Sequence, residues 1–153
     1  QLCNRSTIVN RDFISYVDPS SHYIELRSKK GTLDLGCYFR EKVMSCLADL
    51  DNEFLLRIDN IRYVIRVEDF LYAKSSNRAL HVHLRDGGEF AVSQKPIEYI
   101  LQQVKTDKLF RCARGVLVNR EYITEVDIKH RKIHLVNGEW LEIGSRYVKV
   151  FST

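Results

Sequence analysis

The chain has 153 residues, of which 44% are hydrophobic and 29% charged, enough for one full hydrophobic core and part of a second. Lys and Arg outnumber Asp and Glu by 24 to 20, a formal net charge of +4 that permits a phosphate-rich partner without requiring one. No apolar run approaches the roughly eighteen residues a membrane helix needs, and no basic-then-apolar leader is present, so a cytoplasmic protein without a membrane partner is expected.

In chain order, the N-terminal part reads as short strands followed by a helical stretch from Tyr38 to about Leu50, with Phe39, Val43, Cys46, Leu47 and Leu50 on one side. Asp51-Asn52 then marks a boundary. Beyond it, period-two alternation predicts strands at Phe54–Ile58, Arg62–Val67, Phe70–Lys74, Leu80–Arg85 and Glu89–Val92. From Ser93, read as an N-cap, Ile97, Ile100, Leu101 and Val104 recur at helical spacing, with Pro96 in the first turn where its missing N–H costs nothing. Further strands are predicted at Phe110–Ala113, Tyr122–Asp127, Lys132–Val136 and Glu139–Ile143. Asp59-Asn60 separates the first two strands, and the steps Asp86-Gly87 and Asn137-Gly138 are tight-turn signals because Gly accepts positive φ. The expected fold class is mainly β: short antiparallel strands in small sheets, with one short helix per repeat.

The repeat emerges when the two ends are overlaid. Residues 3–18 align without a gap to residues 112–127 at a constant offset of 109, and half of the paired positions are identical. The match continues from Tyr23-Ile24-Glu25-Leu26 onto Lys132-Ile133-His134-Leu135. It loses one residue in a turn and resumes with Leu33-Asp34-Leu35-Gly36 on Leu141-Glu142-Ile143-Gly144. The expectation is therefore a C-terminal half-domain at 1–52, its front half lacking from the chain, and a complete domain at 53–153.

The segment F-R-x-x-R-x-x-x-V-N-x-x-x-I at 110–123, with the hairpin of residues 132–147 and the opening strands of residues 67–90, resembles the LytTR family of bacterial DNA-binding domains. The resemblance covers nearly all of 53–153, whereas residues 1–50 carry only the later motifs. It implies the output part of a two-component response regulator, whose loops enter successive major grooves of a promoter carrying direct repeats. Three places would reach double-stranded DNA. One is the polar loop Lys74, Ser75, Ser76, Asn77 and Arg78; the second is Arg114; the third is Arg146, just after the last hairpin. Arg suits the role because its planar fork of donors matches guanine O6 and N7 or a phosphate. Arg78, Arg114 and Arg146 are the expected base readers, with Lys74 and Asn77 in support. In the first copy Arg5 matches Arg114, but Tyr38 replaces Arg146 and Cys37 replaces Ser145.

Each assignment has a plainer counterpart. Arg114 would serve equally as a strand-edge charge pairing with Glu121 or Asp127, and Arg146 as a surface charge. The cluster Lys129, His130, Arg131 and Lys132 reads as a solvated turn touching phosphate at most. His81 and His83 share a strand face but have no third ligand in view, and Cys3, Cys37, Cys46 and Cys112 form no C-x-x-C pair, so no metal, cofactor or small-molecule substrate is expected. No nucleophile motif or phosphate loop argues for catalysis. The alternative function is a LytTR-like module that binds a partner regulator or sensor instead of DNA; a homodimer fits either reading.

Overall fold

The computed structural model describes residues 2–4, 6–10, 13–18, 23–27, 32–36 and 52–151. The helical stretch expected at Tyr38–Leu50 lies outside them, as do Arg5, Cys37, Tyr38, Cys46 and Asp51. The chain divides into two compact units, residues 1–66 with 103–105 and residues 67–102 with 106–153. Among the described residues no helix is long and apolar enough to cross a membrane.

The first unit opens with a two-stranded ribbon, β1 (Leu2–Asn4) and β2 (Thr7–Ile8). A five-stranded antiparallel sheet follows, built from β3 (Ile14–Asp18), β4 (Tyr23–Leu26), β5 (Thr32–Asp34), β6 (Glu53–Ile58) and β7 (Ile61–Arg66) in the order β5-β4-β3-β7-β6. The β6–β7 turn needs no glycine because Asp59 takes the left-handed conformation, φ 56°. Cys3, Val9, Ile14, Val17, Ile24, Leu35 and Val64 form its core. The Gln103 side-chain amide closes the outer edge of β6: Leu55 N–H donates to Oε1 at 2.8 Å and Nε2 donates back to the Leu55 carbonyl at 3.0 Å, as a neighbouring strand would.

The second unit holds β8 (Phe70–Ser76), β9 (Ala79–Leu84), β10 (Glu89–Ser93), a single helical turn α1 (Glu98–Leu101), β11 (Leu109–Ala113), β12 (Val116–Asn119), β13 (Ile123–Asp127), β14 (Lys132–Leu135) and β15 (Trp140–Glu142). The first three strands and β11–β12 make a five-stranded antiparallel sheet, β10-β9-β8-β12-β11; the last three make a small sheet, β13-β14-β15. Alternation does not mark β12, because all four residues of Val116–Asn119 are buried: the strand lies inside the sheet, between β8 and β11, and Val116-Leu117-Val118 is an unbroken apolar run. Register separates the faces. Ala73, Val82, Leu117 and Arg111 share one, which α1 overlies through the ion pair of Arg111 with Glu98. Tyr72, Cys112, Val116 and Val118 share the other and pack with Ile133, Leu135, Leu141 and Ile143 of the small sheet and its continuation.

The helix is shorter than its apolar periodicity predicts. Ser93 caps nothing: it pairs with Ala79 in the β10–β9 ladder, and Gln94 turns the chain at φ 56° with its amide on the Arg78 carbonyl at 2.7 Å. Only after Pro96 is the backbone free to coil. Ile97 and Ile100 nonetheless lie buried as the spacing requires.

Asn119 joins three segments from a fully buried position. Its amide donates to the Val67 and Phe70 carbonyls at 3.0 and 2.9 Å and its oxygen accepts from the Glu121 amide at 3.0 Å, capping the 3-10 turn Arg120–Tyr122. Replacing Asn119 by Ala strands buried carbonyls, so urea unfolding should show a stability loss of about 2–4 kcal/mol.

The backbone pairings of the two units correspond. Ile14↔Leu26, Tyr16↔Glu25 and Val17↔Ile24 of β3–β4 have counterparts in Ile123↔Leu135, Glu125↔His134 and Val126↔Ile133 of β13–β14, with the irregularity at the same step. The Gly36 amide donates to the Cys3 carbonyl at 2.7 Å, and the Gly144 amide to the Cys112 carbonyl at 2.8 Å.

Candidate nucleic-acid interface

Three pieces of the second unit carry the expected contact residues, and two of them meet in one region. The first is the two-residue turn Arg114-Gly115 between β11 and β12, which carries Arg114 outward. The Gly115 carbonyl accepts from the Ser75 amide at 2.8 Å, and Val116 pairs with Lys74, so β8 delivers Lys74 beside that turn. The second is the 3-10 turn Ser145–Val150, which carries Arg146. It is drawn in by the Gly144 amide on the Cys112 carbonyl, while Ile143 N–H donates to the Arg131 carbonyl at 2.8 Å. The third is the hairpin tip Asn77-Arg78, where both residues have positive φ, 51° and 60°. Those angles define a type I′ turn, whose twist matches that of paired strands, here occupied by residues that adopt it at a conformational cost.

Lys74, Ser75 and Ser76 thus belong to β8 rather than to a loop, and all five expected contact residues, Lys74, Asn77, Arg78, Arg114 and Arg146, are exposed. Arg114 and Arg146 line one cleft of about 510 Å³ together with Arg111, Gly144, Ser145 and Tyr147. Arg111 and Arg114 continue into a second cleft of about 490 Å³ with Ser75, Pro96, Ile97, Glu98 and Gly115. On the other side, Gly144 and Ser145 are shared with a third, of about 320 Å³, lined also by Arg131, Lys132 and Glu142. The result is a basic groove running past Arg114 and Arg146. Asn77 and Arg78 stand apart from it, about 10 Å beyond Lys74 at the rise of an extended strand.

The charges in this groove are distributed unevenly. Glu121, one candidate partner for Arg114, is taken by Lys108 at 3.2 Å, and Asp127, the other, by His130 at 2.7 Å. The His130 contact holds the Asp127 carboxyl below its ordinary range. Among the described residues, Arg78, Arg114 and Arg146 have no carboxylate partner. Arg111 does: its guanidinium is bonded to Glu98, which holds the Glu98 carboxyl low. Arg111 is the groove residue that strand reading passes over, since alternation sends it to the covered face, and the one sequence signal for it is its place in the spacing F-R-x-x-R. From the turn cluster, Arg131 and Lys132 line the third cleft.

The histidines are used locally. His83 stacks on Tyr72 with ring centroids 4.4 Å apart and meets Glu89 at 3.3 Å; the Tyr72 hydroxyl donates to Glu139 at 2.7 Å. Among the described residues no three His, Cys, Asp or Glu side chains gather as a metal site. Cys112 is completely buried, which pushes its thiol up to about 12. It stays protonated at neutral pH, so iodoacetamide at pH 8 should leave the Cys112 peptide unmodified in the folded protein and alkylate it after unfolding, as read by peptide mass.

A LytTr DNA-binding domain profile matches residues 59–153. The chain belongs to the LytTr DNA-binding domain family. Among solved structures, it resembles the LytTr DNA-binding domain of a methyl-accepting/DNA response regulator from Bacillus cereus, at 16% identity and a TM-score of 0.55, over 65% of this chain and 93% of that one. The likeness is one of fold. A search of curated proteins finds no match.

Gly144 determines how the groove closes. A Cβ there would lie 3.1 Å from the Tyr147 ring and 3.3 Å from the Ala113 Cα, tight enough that the ring or β11 must give by a few tenths of an ångström. Its φ of −64° suits any residue, so the penalty is steric. Gly144→Ala should lower the stability by about 1–3 kcal/mol in a thermal melt and displace Arg146 from Arg114, weakening anion binding in the groove.

Proposed function

We propose that this chain is a transcription regulator that binds double-stranded DNA sequence-specifically, without catalysis, by setting arginines against base edges in the major groove. The observation that carries this is the convergence of Arg114 and Arg146, from separate elements and without carboxylate partners, on one cleft of a LytTr domain. Arg114 and Arg146 read adjacent bases. Arg78, at the hairpin tip, reads the neighbouring groove, and Lys74 and Asn77 hold phosphate and sugar around it. Arg131 and Lys132 extend the phosphate contacts along the groove wall.

On this reading the protein works in the cytoplasm as the output part of a bacterial two-component system, on promoter direct repeats, alone or as a homodimer. We further infer that residues 1–52 are the C-terminal half of a second LytTR-like domain ahead of a complete one at 53–153. The corresponding β3–β4 and β13–β14 registers, and the paired Gly36–Cys3 and Gly144–Cys112 bonds, support that inference. The alternative, a module that holds a partner protein, draws support from the first unit, where Ile8 is 78% and Phe13 53% exposed.

Selection from a random duplex pool, followed by binding of the recovered sequence at several salt concentrations, tests the proposal. Recovery of a direct repeat is expected, with log K falling against log salt at a slope of about −4 or steeper for four or more phosphate contacts. Arg114→Ala and Arg146→Ala should each cost about 1–3 kcal/mol, roughly 5- to 150-fold in affinity, and relax selection at one base position. Wild-type affinity in both variants would sink the arginine-reading mechanism.

A further inference from the structure

Of the three arginines around the central cleft, Arg114 and Arg146 are exposed and Arg111 is not: 26% of its side chain is accessible, against 50% for Glu98, which binds it. Among the described residues, Glu98 is the single carboxylate lining the two clefts that Arg111 and Arg114 share. It stands on α1, which the Pro96 turn delivers to the mouth of the groove. The Arg111 Nε is buried without a hydrogen-bond partner among the described residues, so contact with an incoming group falls to the outer guanidinium nitrogens, one of which Glu98 holds.

This geometry matters for an anion. A phosphate entering the groove at Arg114 would meet a third guanidinium whose charge is already compensated, and a carboxylate that repels it. The pair joins α1 to β11, and a partly exposed ion pair adds only modestly to folding stability. Its main consequence is electrostatic.

We propose that Arg111 is a latent phosphate-binding residue and that Glu98 silences it, keeping the affinity of this domain for DNA backbone low. This rests on the DNA-binding reading above. Because non-specific binding is almost entirely a phosphate interaction, a silenced arginine weakens attachment to arbitrary sequence and leaves discrimination to the base-reading arginines.

The test is a double-mutant cycle on the full chain with a random-sequence duplex of about 20 base pairs as probe, titrated from low to high salt. Glu98→Gln keeps the shape and removes the charge. It should tighten binding several-fold at 0.1 M salt and steepen the log K against log salt slope by about 0.9, the signature of one added phosphate contact. Glu125→Gln, which removes the same charge from β13 outside the groove, should leave the slope where it is. Combining Glu98→Gln with Arg111→Gln should return the slope to the wild-type value, with thermal melts verifying that each variant is folded. An unchanged slope in Glu98→Gln, a change equalled by Glu125→Gln, or a gain that survives loss of Arg111 would each overturn the inference. If wild type itself shows no salt-dependent duplex binding, the DNA reading fails and this inference fails with it, an outcome distinct from a wild-type protein that binds and an unresponsive Glu98 variant.

Discussion

The groove takes its shape from a main-chain hydrogen bond, the Gly144 amide on the Cys112 carbonyl. The last hairpin belongs to the small sheet and the Arg114 turn to the large one, and this bond fastens the end of the first against the end of the second. The close approach is eased because residue 144 has no side chain, for a Cβ would press on Ala113 and Tyr147. Once it forms, Arg146 follows two residues later and must emerge beside Arg114. The buried face below completes the arrangement, since Ile143 and Leu141 enter the same cluster as Cys112 and Val116. The site is thus set by backbone and core, while the arginines that use it are interchangeable surface residues as far as folding is concerned.

How much of this was legible in the sequence follows from which forces leave a local trace. Half-buried strands alternate, so β9, β10, β13 and β14 were readable to within a residue or two, and Gly87 and Gly138, at φ 96° and 94°, announced their turns. The Asn77-Arg78 turn did not announce itself, because its positive φ values are imposed by the pairing of Ser76 with Ala79 and not by a permissive residue. β12 was not recognisable as a strand, since burial on both faces erases the period. The helix ran short because the β10 ladder and the Gln94 turn claimed its first residues. Pairing of Arg111 with Glu98 has no sequence signature at all: the two are thirteen residues apart on different elements, and proximity comes from tertiary packing.

The two units show what one sequence pattern does in different surroundings. Leu117 of β12 and Ile8 of β2 align at the offset of 109 and hold corresponding places in their ladders, Leu117 opposite Arg111 and Ile8 opposite Leu2. Leu117 is fully buried in a strand flanked by β8 and β11 in a five-stranded sheet, whereas β1–β2 is a sheet of two strands and Ile8 is 78% exposed. Hydrophobicity at a position therefore specifies a face to be covered, and neighbouring segments decide whether it is.

The same reasoning applies to charge. A net charge of +4 on 153 residues says little about a binding surface. What matters is where carboxylates are consumed. Glu121 is held by Lys108 and Asp127 by His130, so neither compensates Arg114. Beyond a Debye length of about 8 Å at physiological salt, distant acids no longer offset a cation. The local field is therefore that of the uncompensated arginines, with Glu98 as the carboxylate that lines one cleft beside Arg111 and Arg114. Net charge averages over these arrangements; the pairing of individual side chains is what gives the groove its sign.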